Sequence, residues 1–178
     1  MKKIDSRYEL PALFSDVGGI KKGIELGVSH GNFSKYLLDN YDSWERLYGV
    51  DEYVEKWGGD RDDKLYAKVP KFLSVYPSYT LLKLNFSEAV NRFSDEFFDF
   101  IFVDGASGDG QSGGLTFREW YPKLRVGGIF AGRAYDTKFP VNLECLDKFL
   151  NENKISHKLN ILNETEGRDF VKNWYIIK

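Results

Sequence analysis

The order of the apolar segments restricts the fold of this chain more than any other feature. Short apolar runs alternate with amphipathic stretches until, near the end, two runs follow one another with only a turn between them. Residues 23–28, 47–51, 80–84, 98–104 and 127–131 read as strands. Residues 32–40, 60–75, 87–93, 116–124 and 141–151 carry apolar side chains at helical spacing, with Ser87 placed to cap the third of these. A further helix over 7–16 leads into the first strand; it tolerates Pro11 only near its start and is broken by Gly18-Gly19. Alternating strands and helices require an α/β fold with a doubly wound, mostly parallel sheet covered on both faces. Segments 158–162 and 170–177 are too close for a parallel crossover, so they form an antiparallel C-terminal hairpin and bring the sheet to seven strands.

The 178 residues form one domain spanning 1–178, with no repeat, low-complexity tract or linker. At 42% hydrophobic and 29% charged, the composition is that of a globular protein, and most of its many aromatic rings fill the core. The net charge of −2, without a Lys/Arg stripe, argues against nucleic acid as a partner. No stretch is long and apolar enough to span a membrane, and residues 1–10 are charged where a signal peptide would be apolar, so the expected location is cytoplasmic. One cysteine, Cys145, excludes an internal disulfide, and two histidines are too few for a His-rich metal centre.

The chemistry is concentrated at the ends of the strands. Glu25-Leu26-Gly27-Val28-Ser29-His30-Gly31 occupies the first strand-to-helix turn, where open α/β sheets bind ligands. Gly27 lets the backbone turn tightly and approach a ligand, Gly31 lets the helix start close to the strand, and Glu25 lies within reach of a ligand amine or a backbone amide. Asp51 ends the second strand and is spaced from Gly27 as an acid that accepts both ribose hydroxyls would be; Glu52 and Tyr53 share its loop. Asn85 and Phe86 follow the third strand, where an amide oxygen and a ring suit an adenine, although a turn former and a core ring fit equally. Asp104 emerges from the buried run Phe98-Asp99-Phe100-Ile101-Phe102-Val103, whereas Asp99 belongs to the turn that starts that strand.

In order and spacing these elements resemble the class I S-adenosylmethionine-dependent methyltransferases over most of the chain, from Gly23 to Arg133. Ser29 replaces the middle glycine of that family's [DE]-x-G-x-G-x-G motif, and Val126 replaces the proline of its L-x-P-G-G element. The resemblance implies a Rossmann-like sheet with S-adenosylmethionine as cofactor. It assigns Glu25, Gly27, Ser29, Gly31, Asp51, Glu52, Asn85, Phe86 and Asp104 to cofactor binding, and places Asp104 near the methionine end and the acceptor.

It also implies a methyltransferase acting on a small-molecule acceptor, by O-methylation and without a metal. Relatives that use a metal carry Asp-Gly-x-His after the fourth strand and an acid or His after the fifth. Here the residues are Asp104-Gly105-Ala106-Ser107 and Arg133. Asp104, Arg133 and His30 are therefore the catalytic candidates, with Tyr135 and Asp136 as further possible bases. Arg133 either clamps an anionic acceptor or pairs with Asp104, and the glycine-rich segment 107–114 is a candidate lid. The chain has little extra mass for an acceptor pocket, so either the cleft is open or a homodimer completes it. Two rival readings remain: an S-adenosylmethionine-binding protein without methyltransferase activity, and a nicotinamide-dependent reductase.

Overall fold

The computed structural model describes residues 2–53, 61–163 and 171–178. Its strands are β1 Lys22–Leu26, β2 Arg46–Val50, β3 Tyr79–Leu82, β4 Phe98–Val103, β5 Leu124–Arg133, β6 Asn160–Leu162 and β7 Asn173–Ile177. They form one sheet in the order β3-β2-β1-β4-β5-β7-β6. The first five pair in parallel, while β7 runs antiparallel to both β5 and β6. This is the doubly wound, Rossmann-like sheet with a terminal hairpin that the segment order requires. The expected element starts at residues 60 and 170 lie outside the described residues.

Alternation along β4 explains the two layers of core. Phe100 and Phe102 face one cluster with Leu13, Phe14, Phe33, Leu37 and Leu73, supplied by the lead-in segment, α1 (Asn32–Asp39) and α2 (Arg61–Leu73). Ile101 and Val103 face the other, where α4 (Gly110–Trp120) and α5 (Pro140–Glu152) bring Phe117, Trp120, Leu146 and Phe149. The sheet is therefore buried on both faces, and the strand tips are what remain for a ligand. Strand order reverses between β1 and β4, so the crossovers leave in opposite directions and open a crevice at those two tips.

Several elements differ from the sequence expectation: β5 starts at Leu124 rather than residue 127 and runs on to Arg133, and three further differences have a clear physical cause. The lead-in segment is a 3-10 helix, Arg7–Leu13, and stops short of residue 16. Pro11 has no N–H to donate within it, and Ser6 and Glu9 close its start with a capping box. The cap of α3 (Phe86–Ala89) is Asn85, whose Oδ1 accepts from Glu88 N at 2.9 Å; Ser87 donates instead to Glu119 Oε2 at 2.8 Å. The helix expected from residue 116 begins at Gly110, with an opening turn that winds the opposite way.

Asp99 pins the far end of the sheet, as a strand-start residue should. Its Oδ2 accepts from Lys21 N and Lys22 N, both at 2.8 Å, and its Oδ1 from Arg125 Nε at 2.5 Å. Arg125 in turn donates to Val17 O and Gly19 O, fixing the entry into β1. Burial by itself would raise the Asp99 carboxyl, but the Lys22 amide and the Arg125 guanidinium outweigh it and hold the group below the ordinary carboxylate range. Removing the carboxylate in Asp99→Ala leaves those donors without their acceptor and costs about 2–4 kcal/mol in urea denaturation. Ligand affinity at the opposite strand tips stays unchanged.

Candidate cofactor and acceptor site

The site is built outward from the tip of β1. Gly27 turns the chain at φ +96°, and a Cβ there would lie 2.4 Å from Gly105 N. The close approach is enforced by hydrogen bonds. Asp104 N and Gly105 N both donate to Leu26 O at 2.8 and 2.9 Å, and Gly27 N donates to Val50 O at 2.8 Å. Tips β2, β1 and β4 are thereby tied together. Phe86 completes this floor: a Cβ on Gly105 would meet its Cζ at 2.5 Å, so the ring lies directly against that backbone.

The loop after β1 is shaped by Asp51. Its Oδ2 accepts from Ser29 N at 2.8 Å and its Oδ1 from Tyr53 N at 2.9 Å, while Tyr53 Oη donates to Ser29 O at 2.9 Å. These bonds hold Ser29 at φ +48° and lead to Gly31, the left-handed N-cap of α1. An ionised carboxylate offers about four acceptor positions, and these two amides occupy two, so Asp51 suits a vicinal diol as well as the loop. Glu52 lies half-buried beside it, and Asn85, although engaged as a cap, is exposed at the neighbouring tip of β3.

Glu25 sits lower than its sequence position suggests. Only 1% exposed, it receives a hydrogen bond from Ser34 Oγ of α1, which also lies 3.1 Å from the Tyr79 hydroxyl of β3. Gly49 makes this reach possible, because a Cβ there would fall 2.1 Å from Tyr79 Oη. Burial pushes the Glu25 carboxyl up to about 8; the Ser34 bond opposes the rise, and the Asp104 and Asp51 charges reinforce it. Glu25 thus braces the underside of the loop through α1 and β3.

Asp104 stands between two guanidiniums. Arg7 Nη1 lies 3.1 Å from its Oδ2, and Arg133 Nη1 lies 3.6 Å from its Oδ1. Burial lifts this carboxyl, and the two arginines draw it back toward ionisation. Arg7 comes from the lead-in helix, where its guanidinium lies 5.1 Å from the Tyr8 ring and 5.2 Å from the Phe33 ring. Arg133 ends β5, and the turn beyond it is fixed by buried Asn142, whose Nδ2 donates to Ala134 O at 3.0 Å.

Segment 107–114 is folded against α5. Residues 110–114 all have positive φ, among them Gln111 at +59° and Ser112 at +54°. Gln111 is fully buried and donates through Nε2 to Gly105 O, and Asp109 Oδ1 accepts from Ser112 N at 3.0 Å. Gly110 packs under Val141 and Cys145 of α5. Of the base candidates, Tyr135 donates to Asp147 Oδ1 at 2.8 Å, and burial pushes its hydroxyl up to about 12. Asp136 Oδ1 accepts from Lys138 N at 3.0 Å, a bond that lowers its carboxyl. His30 is exposed, with Nδ1 3.0 Å from Ser29 Oγ. Among the described residues, no three His, Cys, Asp or Glu side chains converge as metal ligands.

Arg7, Ser34 and Tyr79 were not foreseen. Ser34 lies three and four residues before Leu37 and Leu38, so a polar residue on the buried face of α1 was a readable sign. Gly49 inside a strand was another, since it marks a close approach. Arg7 had no comparable local sign.

Comparison with known proteins agrees with this architecture. A family profile described as a methyltransferase domain matches residues 24–132. The chain belongs to the class I S-adenosylmethionine-dependent methyltransferases, whose methyl donor is S-adenosylmethionine. The structure of spermidine synthase from Thermotoga maritima is similar at TM-score 0.64 and 16% identity, over 97% of this chain and 60% of that one. The chain thus spans about three-fifths of that protein's length. An O-methyltransferase from Bacillus cereus, in complex with SAH, is similar at TM-score 0.66 and 15% identity, over 96% and 80% of the two chains. An N-methyltransferase from Bradyrhizobium japonicum gives 0.62 and 12%, over 97% and 94%. No curated protein matches the chain in sequence.

Proposed function

We propose that this protein transfers the methyl group of S-adenosylmethionine to a hydroxyl oxygen of a small anionic molecule, without a metal ion. The observation that carries the reading is the Asp104 carboxylate held between Arg7 and Arg133. A divalent cation brought to Asp104 would meet two guanidiniums within 4 Å of the same carboxylate, so the charge balance there favours an anion. The cradle fits the cofactor: Gly27 lets the tips of β1 and β4 close on one another to form its floor, Asp51 has acceptor positions left for the ribose diol, and Phe86 lies beside that floor where an adenine would stack.

Bound S-adenosylmethionine supplies a methyl group already activated by its sulfonium, so the protein contributes chiefly alignment and desolvation. Arg133 would hold the acceptor's anionic group at the β5 tip and so orient its hydroxyl toward the cofactor. The acceptor's hydroxyl would lose its proton in that transfer, and His30, in the loop after β1, would take it.

The test is methyl transfer to a panel of hydroxy acids and their neutral esters, with and without EDTA. Turnover of the acids, unchanged by EDTA, supports the reading. Arg133→Ala is expected to lower kcat/KM about 10–100-fold with S-adenosylhomocysteine affinity preserved. Turnover that requires an added divalent ion, or an equal preference for the esters, would refute it.

A further inference from the structure

We infer that the protein has a second ligand site, at the edge of the sheet where residues 2–5 meet β6 and β7, and that it takes a small organic molecule with one carboxylate and an apolar body. A cavity of about 330 Å³ lies there, lined by residues 2–5 of the lead-in chain, residues 160–163 of β6 and its end, and Tyr175 of β7. Its volume is that of a small-molecule site.

The cavity is distinct from the crevice at the strand tips. None of the residues assigned above to the cofactor or the acceptor lines it among the described residues. Tyr175 stands opposite Ala131 of β5 and Asn160 of β6, two residues along β7 from Asn173, the partner of Arg133. Strand β6 lies two strand spacings, about 10 Å, beyond β5. The facing wall is anchored. Lys2 N donates to Asp16 Oδ2 at 3.3 Å and Asp5 N to Glu9 Oε2 at 2.8 Å. Between them Ile4, only 4% exposed, belongs to the same buried cluster as Leu162 and Tyr175.

Tyr175 indicates what the space receives. The residue is only 5% exposed, yet among the described residues its hydroxyl has no hydrogen-bond partner. A hydroxyl withdrawn from water without a partner costs free energy, and an acceptor oxygen placed in the cavity recovers that cost. Burial raises the hydroxyl above the ordinary tyrosine range, so it stays protonated and donates. Lys2 and Lys3 bring two exposed ammoniums to the rim, against the single carboxylate of Asp5. The neighbouring acids are engaged elsewhere, Glu9 with the Asp5 and Ser6 amides and Asp16 with the Lys2 amide. A buried donor beside two cations suits a carboxylate, while Ile4, Leu162 and exposed Ile161 offer apolar surface to the rest of the molecule.

Methyl-detected NMR titration of the intact chain tests this without any need for turnover, so its outcome is independent of the proposed methyl transfer. The probes are hexanoate, 1-hexanol and hexylammonium, read at the methyl signals of Ile4, Ile161 and Leu162. Hexanoate is expected to shift these signals saturably and to bind at least about fivefold tighter than either of the others. Tyr175→Phe removes only the unbonded oxygen. It should weaken hexanoate about fivefold or more and leave the thermal melt unchanged, and Lys3→Gln should weaken it further at low salt than at high. Arg133→Ala leaves the titration at these methyls as it was. No saturable shift with hexanoate, or equal or tighter binding of the alcohol or the amine, overturns the inference. So does a loss in Arg133→Ala with none in Tyr175→Phe, which would put the carboxylate at the strand tips. A lowered melting temperature in Tyr175→Phe would mean that the hydroxyl is already bonded in the folded chain, and that also overturns it.

Discussion

Replacing Glu25 by Gln flattens the dependence of stability on pH between about 4.5 and about 8. The carboxyl is buried, and its folded-state value of about 8 lies above the ordinary 4.5. Over that window the folded chain retains a proton that the unfolded chain releases, so raising the pH favours unfolding. The stabilising contribution is complete below 4.5, and it is lost as the pH rises toward 8. The folding constant should fall about tenfold per pH unit from this group alone, which accumulates to about 5 kcal/mol across the window. Gln fills the same space and still accepts from Ser34 but cannot ionise. The difference between wild type and Glu25→Gln, from urea denaturation at pH 5 to 9, isolates the group from every other titration. Parallel curves would mean that Glu25 is ionised in the folded protein.

Gly27→Ala should be the most damaging small substitution at the strand tips. Its φ of +96° is poorly suited to an L side chain, and the new Cβ would press on Gly105 N at 2.4 Å. Gly105 cannot retreat, because its N–H is bonded to Leu26 O and the Phe86 ring lies against its other side. The left-handed backbone and the overlap together cost about 3 kcal/mol or more. S-adenosylhomocysteine affinity falls with it, by more than about tenfold, since any relief widens the gap between the tips of β1 and β4. Two other glycines serve as controls. Gly113→Ala meets no atom within 4 Å and carries only the positive-φ cost, about 1 kcal/mol, whereas Gly108→Ala meets nothing and needs no unusual φ. If Gly27→Ala were no worse than Gly113→Ala in thermal melts, the contact between the two tips would not be tight.

The parts of this molecule that could be read from sequence are those encoded by local pattern. Strand β4 declared itself because six consecutive residues are apolar but for Asp99, and the terminal hairpin because two strand patterns stood too close for a crossover. Asp51 and Gly27 were legible because their separation matches a recurrent ligand geometry. What escaped depends on contacts between distant residues. Arg7 meets Asp104 across 97 positions, and nothing in Ser6-Arg7-Tyr8 announces a partner on the fourth strand. Glu25 looked like a ligand contact because its place in the motif is a strand end. Its enclosure depends on Ser34 and Tyr79, which reach it from two other elements. The left-handed turn at 110–114 was half visible: three glycines permit it, but the positive φ of Gln111 and Ser112 follows from the fit of Gly110 beneath α5 and from the bond between Gln111 and Gly105 O. The choice of Asn85 over Ser87 as a cap turned on a shift of two residues between equally suitable side chains.

The sheet also has very short margins. Its outer strands are β3, with four residues, and β6, with three. An exposed strand edge is a template for pairing with another molecule, and its danger grows with the number of unpaired amides it presents in a row. Margins this short give an incoming strand few bonds to copy. The five central strands, which include the most aggregation-prone run of the sequence at Phe98–Val103, are covered along both sides by neighbours. Pairing through either margin would thus copy few backbone bonds, and the Phe98–Val103 run becomes available to another molecule only if β1 or β5 first separates from β4.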